Sequence, residues 1–106
     1  MKLYLQRKRN NVDAIAEYNE LAGTVTVLKG SKLSEKITYT ETFRGAKSIE
    51  KSRADTVLNG ITTKDVVFKS ASTAANYVTG SSTNGMIAWK DKEGRTLKEL
   101  LQNKEA

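Results

Sequence analysis

The sequence predicts an α+β fold, in which a small, mainly antiparallel sheet of about four or five strands packs with about three helices. Short alternating runs rich in β-branched residues fill the first third of the chain, and apolar residues with helical spacing follow from residue 45 onward. The chain has 106 residues, of which 38% are apolar, enough for one core. We therefore expect a single domain over residues 1–106, with a basic strand or arm at 1–11 and a frayed tail at 103–106.

The N-terminal part of the chain predicts three strands. Leu3 and Leu5 alternate with polar neighbours as in a first strand, and Asn10-Asn11 is typical of a turn. Residues 12–18 fit either a strand or a helix. The β-branched segment 24–28 that follows favours a hairpin of two strands.

The middle of the chain predicts one helix and one short strand. Residues 36–40 have strand chemistry but stand between polar loops, so their structure stays open. A helix is predicted over 45–58 from the helical spacing of Ala46, Ile49, Ala54, Val57 and Leu58. We interpret Asn59-Gly60 as its left-handed stop, and a strand is expected over 65–68.

The following segment combines a helix with a predicted turn. Ser70 is a good N-cap for a helix that Gly80 ends. Asn84-Gly85 favours a tight hairpin turn into a strand over 86–90. Trp89 in that strand is more often a core residue than a stacking platform, because its neighbours are apolar.

A last short helix is predicted at the C-terminus. Thr96 and Glu99 form a capping box, in which each side chain accepts from the backbone N–H of the other. The helix is therefore expected over 97–102, with a frayed tail behind it.

Composition excludes several kinds of active site. Cysteine and histidine are both absent, which excludes disulfides, thiol catalysis, structural zinc and histidine-based triads. The 12 carboxylates are scattered without a motif, so we expect no enzyme activity, no cofactor and no metal site. Mean hydropathy is -0.54, and we see no membrane span and no signal peptide. The expected location is the cytoplasm.

The positive charge has two interpretations. A net charge of +6 with a pI near 9.6 attracts polyanions such as nucleic acid, but it also keeps a small protein soluble. The densest basic run, Arg7-Lys8-Arg9, fits an electrostatic arm or the protection of an edge strand. Lys47, Lys51 and Arg53, with Arg44 before them, suit a basic helix face or an ordinary solvated one.

Three ordered motifs resemble a known family. They are Val25-Thr26-Val27-Leu28-Lys29-Gly30-Ser31-Lys32, then Phe68-Lys69-Ser70-Ala71-Ser72-Thr73-Ala74-Ala75, and finally Thr83-Asn84-Gly85 with Trp89-Lys90 and Gly94-Arg95-Thr96-Leu97-Lys98-Glu99-Leu100. The chain is similar over residues 14–101 to a domain of unknown function appended to GIY-YIG endonucleases and DNA methyltransferases. That domain is itself similar to the restriction-enzyme adenine methylase associated (RAMA) domain. Ala71 stands where the family has proline, and Met86 stands where it has its first tryptophan.

The resemblance implies a non-catalytic nucleic-acid-binding accessory domain linked to DNA restriction or modification. Its expected contacts to nucleic acid are Lys29, Ser31, Lys32, Lys69, Ser70, Asn84 and Lys90. Each has a structural alternative: a strand end for the first three, a helix cap for Ser70 and a turn for Asn84. DNA is the expected partner. The alternative is a protein-interaction or dimerisation module with an open sheet edge.

Overall fold

The computed structural model describes residues 1–38 and 45–103 and confirms the predicted α+β class. The strands are β1 (Lys2–Arg7), β2 (Val12–Asn19), β3 (Thr24–Val27), β4 (Val57–Leu58), β5 (Ile61–Thr62) and β6 (Val66–Phe68). A four-stranded antiparallel sheet has the order β1-β2-β3-β6, and β4 pairs with β5 in a second, two-stranded sheet. The α-helices of the described residues are α1 (Ala46–Ala54), α2 (Ala71–Thr79), α3 (Gly85–Ala88) and α4 (Leu97–Asn103), one more than expected.

The large sheet buries one face against α2. Alternation along the strands puts Leu3, Leu5, Ala14 and Val25 on that face, and each is at most 2% exposed. Helix α2 contacts β2, β3 and β6 and contributes Ala74, Ala75, Tyr77 and Val78 to the same core. The hairpin predicted from residues 12–18 and 24–28 is confirmed as β2 and β3. None of the helices in the described ranges is long and apolar enough to cross a membrane.

The helix predicted over 45–58 is too long. Helix α1 ends at Ala54, and Val57–Leu58 pairs with Ile61–Thr62 as a small hairpin. Asn59 and Gly60 do take the expected left-handed conformation, with φ of 53° and 78°, but as the two-residue turn of this hairpin. Leu58 is 66% exposed, so its helical spacing from Ala54 does not reflect burial.

The turn and strand predicted at residues 84–90 are also wrong. Asn84 begins α3, where its Oδ1 accepts a hydrogen bond from the backbone N–H of Met86 at 3.1 Å. Its φ of −77° is not left-handed. A Cβ on Gly85 would overlap the backbone carbonyl of Ala71, so glycine is needed here for close helix packing and not for a turn.

The remaining local predictions are confirmed. The Ser70 hydroxyl accepts from the backbone N–H of Thr73 at 3.1 Å, and α2 stops at left-handed Gly80. Thr96 and Glu99 form the reciprocal capping box of α4. Within residues 36–38 no strand forms. The rest of the 36–40 segment, Arg44 and residues 104–106 lie outside the described residues.

Replacing Gly85 with alanine tests the packing of α3 on α2. Gly85→Ala is expected to lower the free energy of unfolding by about 1–3 kcal/mol or more, because the new methyl group meets backbone atoms that cannot rotate away. Ile87→Ala, in the same helix but on a side chain 52% exposed, is expected to cost less than about 1 kcal/mol. Urea unfolding measures both variants. A Gly85→Ala protein as stable as the wild type would contradict this close packing.

Candidate nucleic-acid interface

The predicted contact residues are divided among three parts of the sheet. Lys29 and Lys32 follow β3 and lie at the end of the sheet where β2 begins, since Lys32 exchanges backbone hydrogen bonds of 2.9 Å with Asp13. Lys69 follows β6 at the other end of the sheet, where β3 begins. Lys90 pairs with Tyr4 at the free edge of β1, which partly closes that edge.

Lys69 and Lys90 belong to opposite edges of the sheet. Lys69 follows β6 at one edge, and Lys90 pairs with β1 at the other. The seven residues therefore do not form a single cluster.

Three of the predicted polar contacts have structural partners. Ser31 is 3% exposed, and its hydroxyl accepts from the backbone N–H of Ile15 and donates to the carbonyl of Leu28 at 2.8 Å. Ser70 and Asn84 cap α2 and α3 through their side-chain oxygens. Ser31 is thus inaccessible to a ligand, while Ser70 and Asn84 remain exposed on the surface.

Trp89 is a core residue, as predicted. It is 0% exposed, and its indole Nε1 donates to the carbonyl of Ala71 at 3.0 Å. A buried, hydrogen-bonded indole offers no face for a stacked base.

Five cations without an ion-pair partner among the described residues lie around the connection between β1 and β2. This connection is a 3₁₀ turn, Lys8–Asn10, that ends at left-handed Asn11 with a φ of 54°. We call its cations and their neighbours the basic end, which consists of Arg7, Lys8, Arg9, Lys32 and Lys36. Within residues 1–38 and 45–103, none of these five side chains forms an ion pair.

Two neighbouring concavities share Asn11 at the basic end. A pocket of about 330 Å³, here called the Asn11 pocket, has Arg9 and Lys36 in its wall. A more open groove of about 510 Å³ lies beside Arg7, Lys8 and Lys32. Only Asp13 and Glu35 bring negative charge to these two linings, so positive charge exceeds negative charge by three.

Sequence reasoning found part of this surface and missed the rest. In the sequence, the basic run Arg7-Lys8-Arg9 and the predicted turn at Asn10-Asn11 beside it indicate this part of the surface. Lys36 carried no signal, because only the folded path of residues 33–38 brings it beside Arg9. Lys29 lies at the same end of the sheet, with its backbone N–H bonded to Asp65 at 2.8 Å.

Other cations are engaged in the fold. The Arg53 guanidinium turns inward from α1 and donates to the carbonyls of Ser34 and Tyr77, so it is not part of a basic helix face. Burial lowers its pKa. Arg95 pairs with Asp91 at 2.8 Å and with Glu93 at 3.1 Å, and the hydrogen bond to Asp91 raises the pKa of Arg95.

Acidic residues of the described ranges do not assemble into a metal site. No group of three or more Asp, Glu, His or Cys residues in the part of the chain that the structure describes could hold a metal ion.

The role of Ser31 can be separated from binding. Ser31→Ala is expected to lower the free energy of unfolding by about 1–3 kcal/mol, because it leaves the partly buried N–H of Ile15 without its partner. Ser82→Ala, at an exposed position, is expected to stay within about 0.5 kcal/mol of the wild type. Thermal or urea unfolding measures both. An unchanged stability of Ser31→Ala would show that its hydrogen bonds do not hold this loop.

Comparison with protein families gives one match, and its extent is nearly the whole chain. A family model described as a domain of unknown function (DUF4357) matches residues 3–101. Comparisons with curated proteins and with solved structures give no match. The match covers all of β1 except Lys2, every other strand, the 3₁₀ turn and most of α4, and the chain accordingly belongs to the family described as domain of unknown function (DUF4357).

Proposed function

We propose that this domain is a non-catalytic accessory domain that binds nucleic acid through its basic end. The single observation that carries the proposal is the group of five exposed cations, Arg7, Lys8, Arg9, Lys32 and Lys36, which lack ion-pair partners among the described residues. Such cations neutralise backbone phosphates and release counterions, which gives binding that weakens steeply with salt.

The shape of the basic end fits a backbone contact. Its cations come from two chain segments that meet at one end of the sheet: residues 7–9, at the end of β1 and in the β1–β2 connection, and residues 32–36, which follow β3. Cations on two segments can contact different phosphates of one backbone. Phosphate contacts of this kind position a protein on nucleic acid and carry little sequence information.

The proposed partner is DNA, and the proposed context is restriction or modification. Both rest on the resemblance to domains appended to GIY-YIG endonucleases and DNA methyltransferases. The proposed location remains the cytoplasm. Lys29, Lys69, Ser70, Asn84 and Lys90 are peripheral contacts in this proposal, because they are exposed but distributed around the sheet.

Matched charge removal tests the proposal. Labelled duplex DNA is titrated with the protein at several salt concentrations, and fluorescence anisotropy measures the dissociation constant. Arg7→Ala/Arg9→Ala/Lys32→Ala is expected to weaken binding at least about tenfold at low salt and to reduce the salt slope by about 2–3, about one for each lost phosphate contact. The control Lys47→Ala/Lys92→Ala/Lys98→Ala removes the same charge from exposed positions elsewhere and is expected to keep most of the slope.

The outcomes separate function from location. Absence of salt-sensitive binding by the wild-type protein at low ionic strength would overturn the proposed function. Equal losses in the two triple variants would keep nucleic-acid binding but reject the basic end as its site. A double variant Lys69→Ala/Lys90→Ala reports on the peripheral contacts, and we expect it to lose less affinity than the basic-end variant.

An exposed apolar pair favours a second candidate, a protein-interaction or dimerisation module. Leu58 and Ile61 are cross-strand partners in the β4–β5 hairpin and are 66% and 45% exposed. Apolar side chains exposed side by side are typical of a contact surface. The open β1 edge expected for this function is instead occupied at Tyr4 by Lys90.

Sedimentation velocity over a range of protein concentrations distinguishes this candidate. On the nucleic-acid proposal the wild-type protein is expected to remain a monomer. Self-association that disappears in Leu58→Ser/Ile61→Ser would support the dimerisation module, and Val67→Ser, which alters an apolar residue 64% exposed on β6, is the matched control.

A further inference from the structure

We propose that the Asn11 pocket binds a phosphate monoester, such as the phosphorylated end of a nucleic-acid strand. The inference rests on the proposed function, because it assigns a specific task to one half of the basic end. Its starting point is the chemistry of the pocket wall, whose charged side chains are Arg9, Lys36 and Glu35 and whose other side chains are amides and hydroxyls.

Five of the side chains that line the pocket have no partner among the described residues. Among the residues that the structure describes, the side chains of Arg9, Asn10, Asn11, Lys36 and Thr38 make no hydrogen bond or ion pair within the protein. Guanidinium and ammonium groups are donors only, and amide NH₂ and hydroxyl groups add further donors. The ligand that complements this wall is therefore an anion with several acceptor oxygens.

The rest of the wall is held in place by internal hydrogen bonds. The Ser34 hydroxyl donates to the carbonyl of Lys36 at 3.0 Å and accepts from Arg53 at 3.1 Å. The Thr79 hydroxyl donates to the carbonyl of Ala75 at 2.9 Å. A Cβ on Gly80 would overlap the carbonyl of Lys36, so this side of the pocket is tightly packed. These contacts fix the backbone beside Lys36, whereas the donors proposed to bind the ligand lie on exposed side chains such as Arg9 and Lys36.

The size of the pocket selects a small polar group. Its volume of about 330 Å³ is at the lower limit of roughly 300–1,000 Å³ for small-molecule sites. Among the described residues, its lining holds no aromatic or large aliphatic side chain on which a base would stack. These properties favour a phosphate and the sugar attached to it over a base.

Charge distinguishes a monoester from the phosphodiester backbone. A phosphate monoester carries about −1.5 to −2 charges at neutral pH and three terminal oxygens, whereas each backbone phosphate carries one charge. Arg9 and Lys36 together match a doubly charged group, and Glu35 is the carboxylate that opposes it. The neighbouring groove with Arg7, Lys8 and Lys32 would then hold the first backbone phosphates of the same strand.

The experiment compares strand ends on otherwise identical molecules. Short single-stranded DNA oligonucleotides with a 5′-phosphate, a 3′-phosphate or hydroxyl groups at both ends are titrated with the full chain, and anisotropy gives the affinities. We expect one phosphorylated form to bind about tenfold more tightly than the hydroxyl form, since charge-assisted hydrogen bonds are lost without the phosphate. Equal affinities of all three forms would overturn the inference.

Variants assign the preference to the pocket. Arg9→Ala/Lys36→Ala is expected to abolish the preference for the phosphorylated end. Arg7→Ala/Lys8→Ala removes the same charge from the groove, and it is expected to weaken all three oligonucleotides while the preference stays. Glu35→Gln is expected to strengthen binding of the phosphorylated form. A preference that survives the Arg9/Lys36 variant would overturn the assignment.

A free nucleoside monophosphate, followed by isothermal titration calorimetry, separates the two sources of a monoester and the two proposals. If it binds as tightly as the phosphorylated oligonucleotide, the pocket is supported and its ligand is a free nucleotide. If it binds more than about tenfold more weakly, the strand end is supported. Salt-sensitive binding of every oligonucleotide without an end preference would leave the proposed function standing and reject the pocket. Binding of the monophosphate without binding of any oligonucleotide would support the pocket and reject the proposed function.

Discussion

The close approach of Gly85 to the backbone of Ala71 is the constraint on which the C-terminal half of the fold depends. Because no side chain separates α3 from the start of α2, Trp89 reaches the carbonyl of Ala71 with its indole nitrogen and is fully buried. The next residue, Lys90, exchanges two backbone hydrogen bonds with Tyr4 and thereby joins the helices to the edge of β1. The absence of a Cβ at Gly85 thus allows the contacts that join α2, α3, Trp89 and the sheet.

Arg53 fastens the other end of α2 and, through it, one wall of the Asn11 pocket. Its guanidinium donates to the carbonyls of Tyr77 and Ser34, which join the last turn of α2 to the segment that follows Leu33. The last carbonyls of a helix have no partner within the helix, and a cation at that end also complements the helix dipole. A fold-stabilising contact of α1 therefore shapes the surface on which Lys36 lies.

Features set by local chemistry could be predicted from the sequence, whereas those set by distant contacts could not. The strands of the first third, the Ser70 cap and the capping box of α4 depend on neighbouring residues and were predicted. Neither Asn-Gly pair has its expected role: Asn59-Gly60 forms a hairpin turn and not a helix stop, and Asn84-Gly85 begins a helix and does not form a hairpin turn. The dipeptide alone does not determine which structure forms. Distant contacts decide: the backbone of Ala71 packs against Gly85, and β4 pairs with β5 around Asn59-Gly60.

The same distinction explains why most residues of the family motifs lie outside the proposed binding surface. Ser31, Ser70, Gly85 and Trp89 belong to the motifs, and each makes a contact that the fold requires. Buried groups used in this way, as at Ser31, Gly85 and Trp89, are unavailable to a ligand, whereas Ser70 stays exposed. The cations of the basic end have the opposite character, since they are exposed, unpaired among the described residues and mostly outside the motifs. In this domain the motifs therefore belong mainly to the scaffold, and the proposed ligand contacts are the long charged side chains around the β1–β2 connection.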